Sequence, residues 1–545
     1  MPGLDIVTSE AQNVSINNSP SSQLRNIRHV AAIDIGTNSI HLLIAAVDTV
    51  LKIFTIELAE KSTTRLGERD ALTDELTQNA INRTLETLNR FKDLAESHKV
   101  ENLLIAATSA VREAPNGIDF LNEIKKQIDL DVELISGTEE ARLIYLGALS
   151  GMQFGDRPHV LIDIGGGSTE LILADGRDSR ALTSTKVGAV RLKTDFIKQQ
   201  PLTNQRSEFL RTFIQGSLEP AVDKILRRLE PGEKPLMVAT SGTAMAIGAL
   251  ILSGGVPQKS KLQGYKFTKL ELDHLVEKLL KMNSEQLRRL TPLSDRRAEI
   301  IVPGALILQA AMKMVKINEV VLSERALREG LVVDWMFRNG FLEDRFSLQG
   351  SIRKRTVLHQ AKRFKVNFLR SEQVAKNALD LYDNTIGFLH SDNGNGRDLL
   401  WAAAMLHSCG QHINLGSYHK HSWYLIRHGE LLGYSQIEHL MVAGIARYHR
   451  KSFPRKRHEA WQCLETRLDR QIVSEMALLL RLAASIDRRP EPVVESLKIN
   501  TAVDLVKIKL IPKNLNMNLG LEEWSLKNTI SKISNNVNVK IQVIQ

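Results

Sequence analysis

Two short apolar runs, each closed by an aspartate and a glycine-rich turn and each followed by a second apolar run, stand far apart in the chain. His29–Ile35 and Ile40–Asp48 flank Gly36-Thr37-Asn38-Ser39, and Val160–Gly165 and Glu170–Ala174 flank Gly166-Gly167-Ser168-Thr169. Each pair reads as a β-hairpin. Around the first, Leu51–Leu58, Glu101–Ala107 and Val132–Ile135 read as strands, and Asp74–His98, Gly117–Ile128 and Glu139–Ser150 have helical periodicity. Around the second, Leu236–Thr240 and Glu319–Leu322 read as strands, and Asn204–Leu229, Leu306–Val315 and Leu327–Arg338 as helices. Strand and helix alternate in both units, which predicts an α/β class.

From about residue 345 the pattern becomes helical, over Arg353–Phe364, Glu372–Leu389, Asp398–Ser408, Lys420–His428, Ser435–Tyr448 and Asp469–Ile486, with a polar loop at Ser391–Arg397. The end reads strand, helix, strand: Asp504–Ile511, Leu521–Ser534, Val537–Ile544. The expected domains are a disordered leader (1–28), two α/β domains (29–137 and 138–340), an all-α domain (345–500) and a small α/β cap (501–545). That is in line with ~150 residues per domain.

Composition changes this picture little. Hydrophobic residues make up 43% of the 545 positions, ordinary for a globular protein. No apolar run reaches the ~18–20 residues of a membrane span, and the start lacks a signal-peptide pattern. Cys409 and Cys463 form no CxxC, which argues against a disulfide framework and for a reduced, cytoplasmic setting. The formal net charge of +10 favours a polyanionic partner without saying whether it is nucleic acid, polyphosphate or an acidic membrane.

The candidate chemistry lies in the two turns. Glycine lets backbone N–H groups approach an anion, and an aspartate at the strand end can hold a metal ion beside the same phosphate. Asp163 and Glu170 stand on opposite arms of one hairpin, where their carboxylates can converge on a hard cation. The plain alternative for Asp163 is a turn residue bonded to its own backbone. Ser241-Gly242-Thr243 offers either more amide donors or an ordinary helix cap.

Six segments, in this order, carry a resemblance: Asp34-Ile-Gly36-Thr37-Asn38-Ser39, Ala107-Thr108-Ser109-Ala110-Val111-Arg112-Glu113-Ala114, Ile135-Ser136-Gly137-Thr138-Glu139-Glu140-Ala141-Arg142, Asp163-Ile-Gly165-Gly166-Gly167-Ser168-Thr169-Glu170, Ser241-Gly242-Thr243 and Ala326-Leu327-Arg328-Glu329-Gly330. The chain resembles the exopolyphosphatase / guanosine pentaphosphate phosphohydrolase family, in its long form. The resemblance implies two actin-like, ribonuclease-H-like domains, then an HD-like helical domain.

It also implies Mg²⁺-dependent hydrolysis of a terminal phosphoanhydride, with inorganic polyphosphate as substrate, guanosine pentaphosphate as the rival, and a homodimer. No nucleic-acid or membrane partner is expected. A non-catalytic polyphosphate- or nucleotide-binding regulator is the alternative of another class.

By the same resemblance Glu140 is the general base. Gly36, Thr37, Asn38, Ser39, Arg112, Gly166, Gly167, Ser168, Thr169, Ser241, Gly242 and Thr243 hold phosphate, with Arg191 and Arg297 weaker candidates. Asp163, Glu170 and Asp34 bind metal. The bland alternatives are a first-turn acid for Glu140, which suits Glu139 better, and a surface arginine for Arg112. One departure is Ser323-Glu324, where the family has Ser-Asp. In the helical region His407-Ser408 stands where an HD protein has His-Asp, so a dinuclear site is not expected there. His407, His412, His419, His421 and His449 are read as core or substrate-contact residues. The basic segments Arg447–Lys451 and Arg455–His458 are candidates for tracking a phosphate chain.

Overall fold

The computed structural model describes residues 26–253, 262–343, 352–391, 394, 396–464, 466–534, 537 and 539–544. Most of the leader lies outside them. Strand β1 (Ile27–Ile35) already begins inside the span expected to be leader. The first sheet adds β2 (Ile40–Asp48), β3 (Ile53–Ser62), β4 (Asn102–Ala107) and β5 (Glu133–Leu134), in the order β3-β2-β1-β4-β5. β1, β2 and β3 are antiparallel neighbours, while β4 and β5 run parallel to β1.

The second sheet repeats this plan with β6 (His159–Ile164), β7 (Thr169–Ala174), β8 (Ser179–Thr185), β9 (Leu236–Thr240), β10 (Lys266–Thr268) and β11 (Glu319–Leu322). Its order is β10-β11-β9-β6-β7-β8, with β10 an added edge. The amphipathic pattern missed β8 and β10. Both are edge strands in which polar residues break the apolar run, Ser, Arg and Thr in β8 and Lys and Thr in β10.

The central strands are apolar on consecutive positions, not alternating ones, because both faces are covered. Val30, Ala31, Ala32 and Ile33 are all fully buried. On the outer face of the first sheet lies α1 (Gln78–Ser97), which buries Ala80, Ile81, Thr84, Leu88, Phe91 and Ala95 at helical spacing. Between the sheets lie α2 (Gly137–Gly151) and α3 (Leu327–Arg338), sharing one core with Leu43, Leu161 and Ile172. The two helices cross so closely that a Cβ on Gly147 would lie 1.9 Å from the Ala326 carbonyl oxygen, and one on Gly330 would lie 1.9 Å from that of Leu143. Only glycine allows this crossing. Helix α3, expected to close the second unit, packs on β1 and β2 of the first sheet, while α2 packs on β7 and β8 of the second.

The C-terminal part is helical from Ile352 to Ile486, as the periodicity predicts. It is followed by a three-stranded sheet: β12 (Val494–Ala502), β13 (Leu505–Pro512) and β14 (Lys540–Ile544), with a helix over Gly520–Ile533. Strand β12 straddles the boundary expected at 500/501. Its residues and those of β13 join one core with the helices, so no separate cap core exists among the described residues. This part docks on the first sheet through the Lys362–Asp48 ion pair (2.7 Å), the Thr55–His359 hydrogen bond (2.9 Å) and an apolar contact of Ile53, Ile352 and Leu432. Residues 392, 393 and 395 of the polar loop Ser391–Arg397 lie outside the described residues. Among the described residues no helix is long and apolar enough to cross a membrane.

Candidate active site

The two hairpin turns face each other. In the first, the Gly36 N–H donates to the Ser39 carbonyl oxygen (3.2 Å); in the second, the Gly165 N–H donates to that of Ser168 (2.9 Å). The Gly36 amide therefore closes its own turn and is not a phosphate donor, contrary to expectation. A Cβ on Gly167 would lie 2.9 Å from Thr37 Oγ1 and 2.5 Å from Ser109 Oγ. So the second turn needs glycine because the first domain presses against it. Thr37, Asn38, Gly166 and Gly167 form the lips of the cleft.

Other expected phosphate ligands are committed elsewhere. Thr169 is fully buried and its hydroxyl donates to the Val187 carbonyl oxygen (2.5 Å). Ser39 and Ser168 are buried, and the Ser168 hydroxyl bonds the Glu170 carboxylate. Ser241 sits at φ +81°, a region costly for a residue with a Cβ. Its hydroxyl accepts from the Thr243 and Ala244 N–H groups (3.2 and 3.3 Å), so the helix-cap alternative holds here. The Thr243 side chain packs on Gly304.

Four carboxylates converge behind the lips. The strand register sets Asp163 directly across from Glu170, and His41 across from Asp34. Asp34 and Asp163 keep some accessible surface, whereas Glu140 is 8% and Glu170 1% exposed. Burial lifts Asp34 to about 7, with Arg328 opposing and Asp163 and Glu329 adding. Burial lifts Asp163 to about 6, against the hydrogen bond from Thr240. Burial, then Asp163, lifts Glu170 to about 8, although Ser184 Oγ donates to its Oε1 (2.7 Å). Glu140 is raised well above the ordinary range by burial and then by Glu170, with Arg112 opposing. Enclosed carboxylates that raise each other in this way mark a site built to receive positive charge.

Glu140 lies in the first turn of α2, whose N-cap Ser136 accepts from the Glu139 N–H (3.1 Å). Glu139 turns away to Arg142 (2.7 Å), which continues to Asp334 (2.7 Å). Arg112 is not a free phosphate ligand: Nη1 and Nη2 each donate to Glu140 Oε2 at 3.2 Å, and Nη1 also donates to the Ile135 carbonyl oxygen (2.8 Å). Arg191 is likewise engaged. Its Nε donates to the Gly167 carbonyl oxygen (3.0 Å) and its Nη2 to Glu113 (2.8 Å), tying the second turn to the first domain. Arg297 lies across Gly242, where a Cβ would stand 1.9 Å from its Nη2, and burial lowers its pKa. A guanidinium held there can meet an anion at the cleft.

The sequence reading missed four contributors. Thr240 donates to Asp163, and Ser184 to Glu170. His41 and Lys61 stand opposite each other on β2 and β3 beside Asp34. Burial, then Arg328, holds His41 down to about 3, so this imidazole is neutral. Arg328 was in a recognised motif, but only the crossing of α2 and α3 carries it toward Asp34. Glu324, the departing residue, points elsewhere: its Oε1 accepts from the Leu262 N–H (3.1 Å).

Among the described residues no three His, Cys, Asp or Glu side chains form a closed metal-binding group. The donor chemistry of Asp34, Asp163 and Glu170 nonetheless fits a hard cation that takes only part of its shell from protein. In the helical part, His407 and His449 meet with ring centroids 5.1 Å apart, and Tyr418 Oη lies 3.2 Å from His449 Nε2. Each of the two imidazoles is tied through Nδ1 to a backbone carbonyl three residues back, and no carboxylate joins them in a metal-binding group.

Comparison with known proteins gives the family and the fold. The model of the Ppx/GppA phosphatase family matches residues 43–339, and that of its domain III matches residues 352–529. A guanosine-5'-triphosphate,3'-diphosphate pyrophosphatase of Vibrio vulnificus is 29% identical over 488 residues, 87% of this chain and 90% of the relative. The Vibrio cholerae protein of that name is 28% identical over 511 residues, 92% and 94%. Among solved structures, an exopolyphosphatase from Cytophaga hutchinsonii aligns with TM-score 0.53 at 25% identity, over 57% of this chain and 98% of that one. The Aquifex aeolicus member of the Ppx/GppA family aligns with TM-score 0.50 at 27% identity, over 57% and 99%.

Proposed function

The chain belongs to the Ppx/GppA phosphatase family, hydrolases of phosphoanhydride bonds, and on that premise we propose that it removes the terminal phosphate of inorganic polyphosphate. The observation that carries the chemistry is Glu140, a buried, proton-avid carboxylate held by Arg112 beside two facing glycine-rich turns. A buried carboxylate of raised proton affinity, when ionised, is a stronger base toward attacking water. Arg112 engages Oε2, which leaves Oε1 for that proton. Donors on Thr37, Asn38, Gly166 and Gly167 orient the terminal phosphoryl group, and Arg297 meets its charge. Asp163, Glu170 and Asp34 would hold Mg²⁺, which when bound supplies positive charge to the leaving phosphate.

The polymer reading is supported by the exposed Arg455, Lys456 and Arg457, far in sequence from the turns and suited to distant phosphates. The second reading, removal of the 5'-terminal phosphate of guanosine pentaphosphate, is favoured by the names of the Vibrio relatives that align over nearly the whole chain. We read the helical part as an HD-type domain without its metal, since Ser408 follows His407, and the protein as a cytoplasmic homodimer. The deciding experiment is phosphate release from polyphosphate and from guanosine pentaphosphate, side by side with Mg²⁺. Faster turnover of the nucleotide at matched concentration replaces the first reading with the second; no release from either removes both.

A further inference from the structure

One acid beside the two turns is wired unlike the rest. Asp34, Asp163, Glu170 and Glu140 are lifted by burial. Burial acts to lift Glu113 as well, but the Ser109 hydroxyl, Arg191 and Lys186 outweigh it and hold this carboxyl below its ordinary value. Glu113 is therefore a lasting negative charge and not a group that takes a proton. Its side chain is 14% exposed, so it is also a confined one.

Its two oxygens reach in opposite directions. Oε1 accepts from Ser109 Oγ (2.6 Å) in the first domain. Oε2 accepts from Arg191 Nη2 (2.8 Å) in the second, with Lys186 Nζ 3.5 Å away. Arg191 passes the contact on, because its Nε donates to the Gly167 carbonyl oxygen (3.0 Å). The backbone N–H groups of Val190 and Arg191 donate to the Gly166 carbonyl oxygen (3.0 and 3.1 Å). Ser109 meets the same turn from the other side, where a Cβ on Gly167 would lie 2.5 Å from its Oγ. One carboxylate thus joins the two side chains that press on Gly167 from different domains. The residue before it, Arg112, donates to Glu140. The short helix Ser109–Arg112 and its C-cap Glu113 therefore connect the second turn to the general base. We propose that Glu113 is a positioning residue, which through Ser109 and Arg191 sets the distance between the second phosphate-binding turn and Glu140. This rests on the reading of the cleft as the place of phosphoryl transfer, where attack needs aligned groups and a 1 Å misplacement costs about 10²-fold in rate.

The test compares Glu113→Gln, Arg191→Met and the double variant with the parent, all as full-length protein. Glu113→Gln keeps the shape of the side chain and removes its charge. Two quantities are read: kcat and KM for phosphate release from polyphosphate and from guanosine pentaphosphate, and, without substrate, amide hydrogen exchange. In Glu113→Gln, kcat should fall about ten-fold or more while KM changes less. The double variant should be no slower than Arg191→Met, since Glu113 acts through that guanidinium. The Gly165, Val190 and Arg191 amides should exchange faster than in the parent, and those of α1 at the same rate. Losses in kcat that multiply in the double variant would overturn the proposal, because Glu113 would then act apart from Arg191. Unchanged exchange at the three amides overturns it whatever compound is hydrolysed. Faster exchange everywhere, α1 included, would make Glu113 a stability residue and overturn it too. If the parent releases phosphate from neither compound, the functional reading falls and the exchange pattern alone decides on Glu113.

Discussion

Glu140 and Arg112 form an ion pair, and the roles proposed for them can be told apart by pH. Replacing a positioned general base costs roughly 10²–10⁴-fold in rate. Glu140→Gln should therefore lower kcat by about that factor while polyphosphate binding persists; near-normal turnover would remove Glu140 from the role. Arg112 works against the burial that raises Glu140. Arg112→Met should move the acid limb of the pH–rate profile to higher pH, because a less stabilised carboxylate stays protonated longer. An unshifted limb with a purely lower plateau would mean that Arg112 acts on phosphate and not on Glu140. Glu139, next along α2, is bound to Arg142 (2.7 Å), and Glu139→Gln should leave the profile in place.

The two hairpins gather carboxylates at their strand ends. Asp163→Asn and Glu170→Gln should each raise the Mg²⁺ concentration needed for half-maximal phosphate release, since each removes a hard donor. An unchanged titration in both would move the cation elsewhere. The same acids shape stability. Asp34 at about 7 and Glu170 at about 8 hold protons that the unfolded chain releases near pH 4. Between those limits the folded state binds more protons, so its stability falls as pH rises. His41, at about 3, works in the opposite direction, but only up to about 6.5. Above that, of these groups only the acids act. In EDTA the melting temperature should fall from pH 6.5 to 8, and Mg²⁺ should raise it more at pH 8 than at pH 6.5. A flat profile would mean that the acids are solvated in the cleft.

The helical part and the catalytic part do not separate cleanly. Asp48 is 1% exposed and meets Lys362, Arg325 is 3% exposed and meets Glu430, and Ile53 shares an apolar contact with Ile352. Cutting the chain near residue 340 would expose all three, so the role of the basic segments is better tested on the intact protein. Arg455, Lys456 and Arg457 are exposed, and their joint replacement by serine should spare the fold. Long-chain polyphosphate hydrolysis should then drop more than short-chain hydrolysis, and its dependence on salt should flatten, as contacts between fixed positive charges and phosphates are lost. An unchanged chain-length profile and salt response would confine substrate recognition to the cleft.

Much of this architecture is local and could be read from the amino acids alone. The paired hairpins, the α/β alternation, the helical second half and the acids at strand ends follow from the apolar period and from glycine at the turns, which need only near neighbours. The same holds for the register that puts Asp163 opposite Glu170. The edge strands β8 and β10 escaped because polar residues interrupt their apolar pattern, and β12 because its core comes from distant helices. Which side chains stay available for chemistry was decided in three dimensions. Arg112 and Thr169 have the right types in the right motifs, yet packing gives one to Glu140 and the other to Val187. Lys61 and Arg328 come near Asp34 only because β3 pairs with β2 and α3 crosses α2 at Gly147 and Gly330. Arg328 does so from 294 positions away. Such contacts depend on how closely whole elements approach, a quantity that no window along the chain contains.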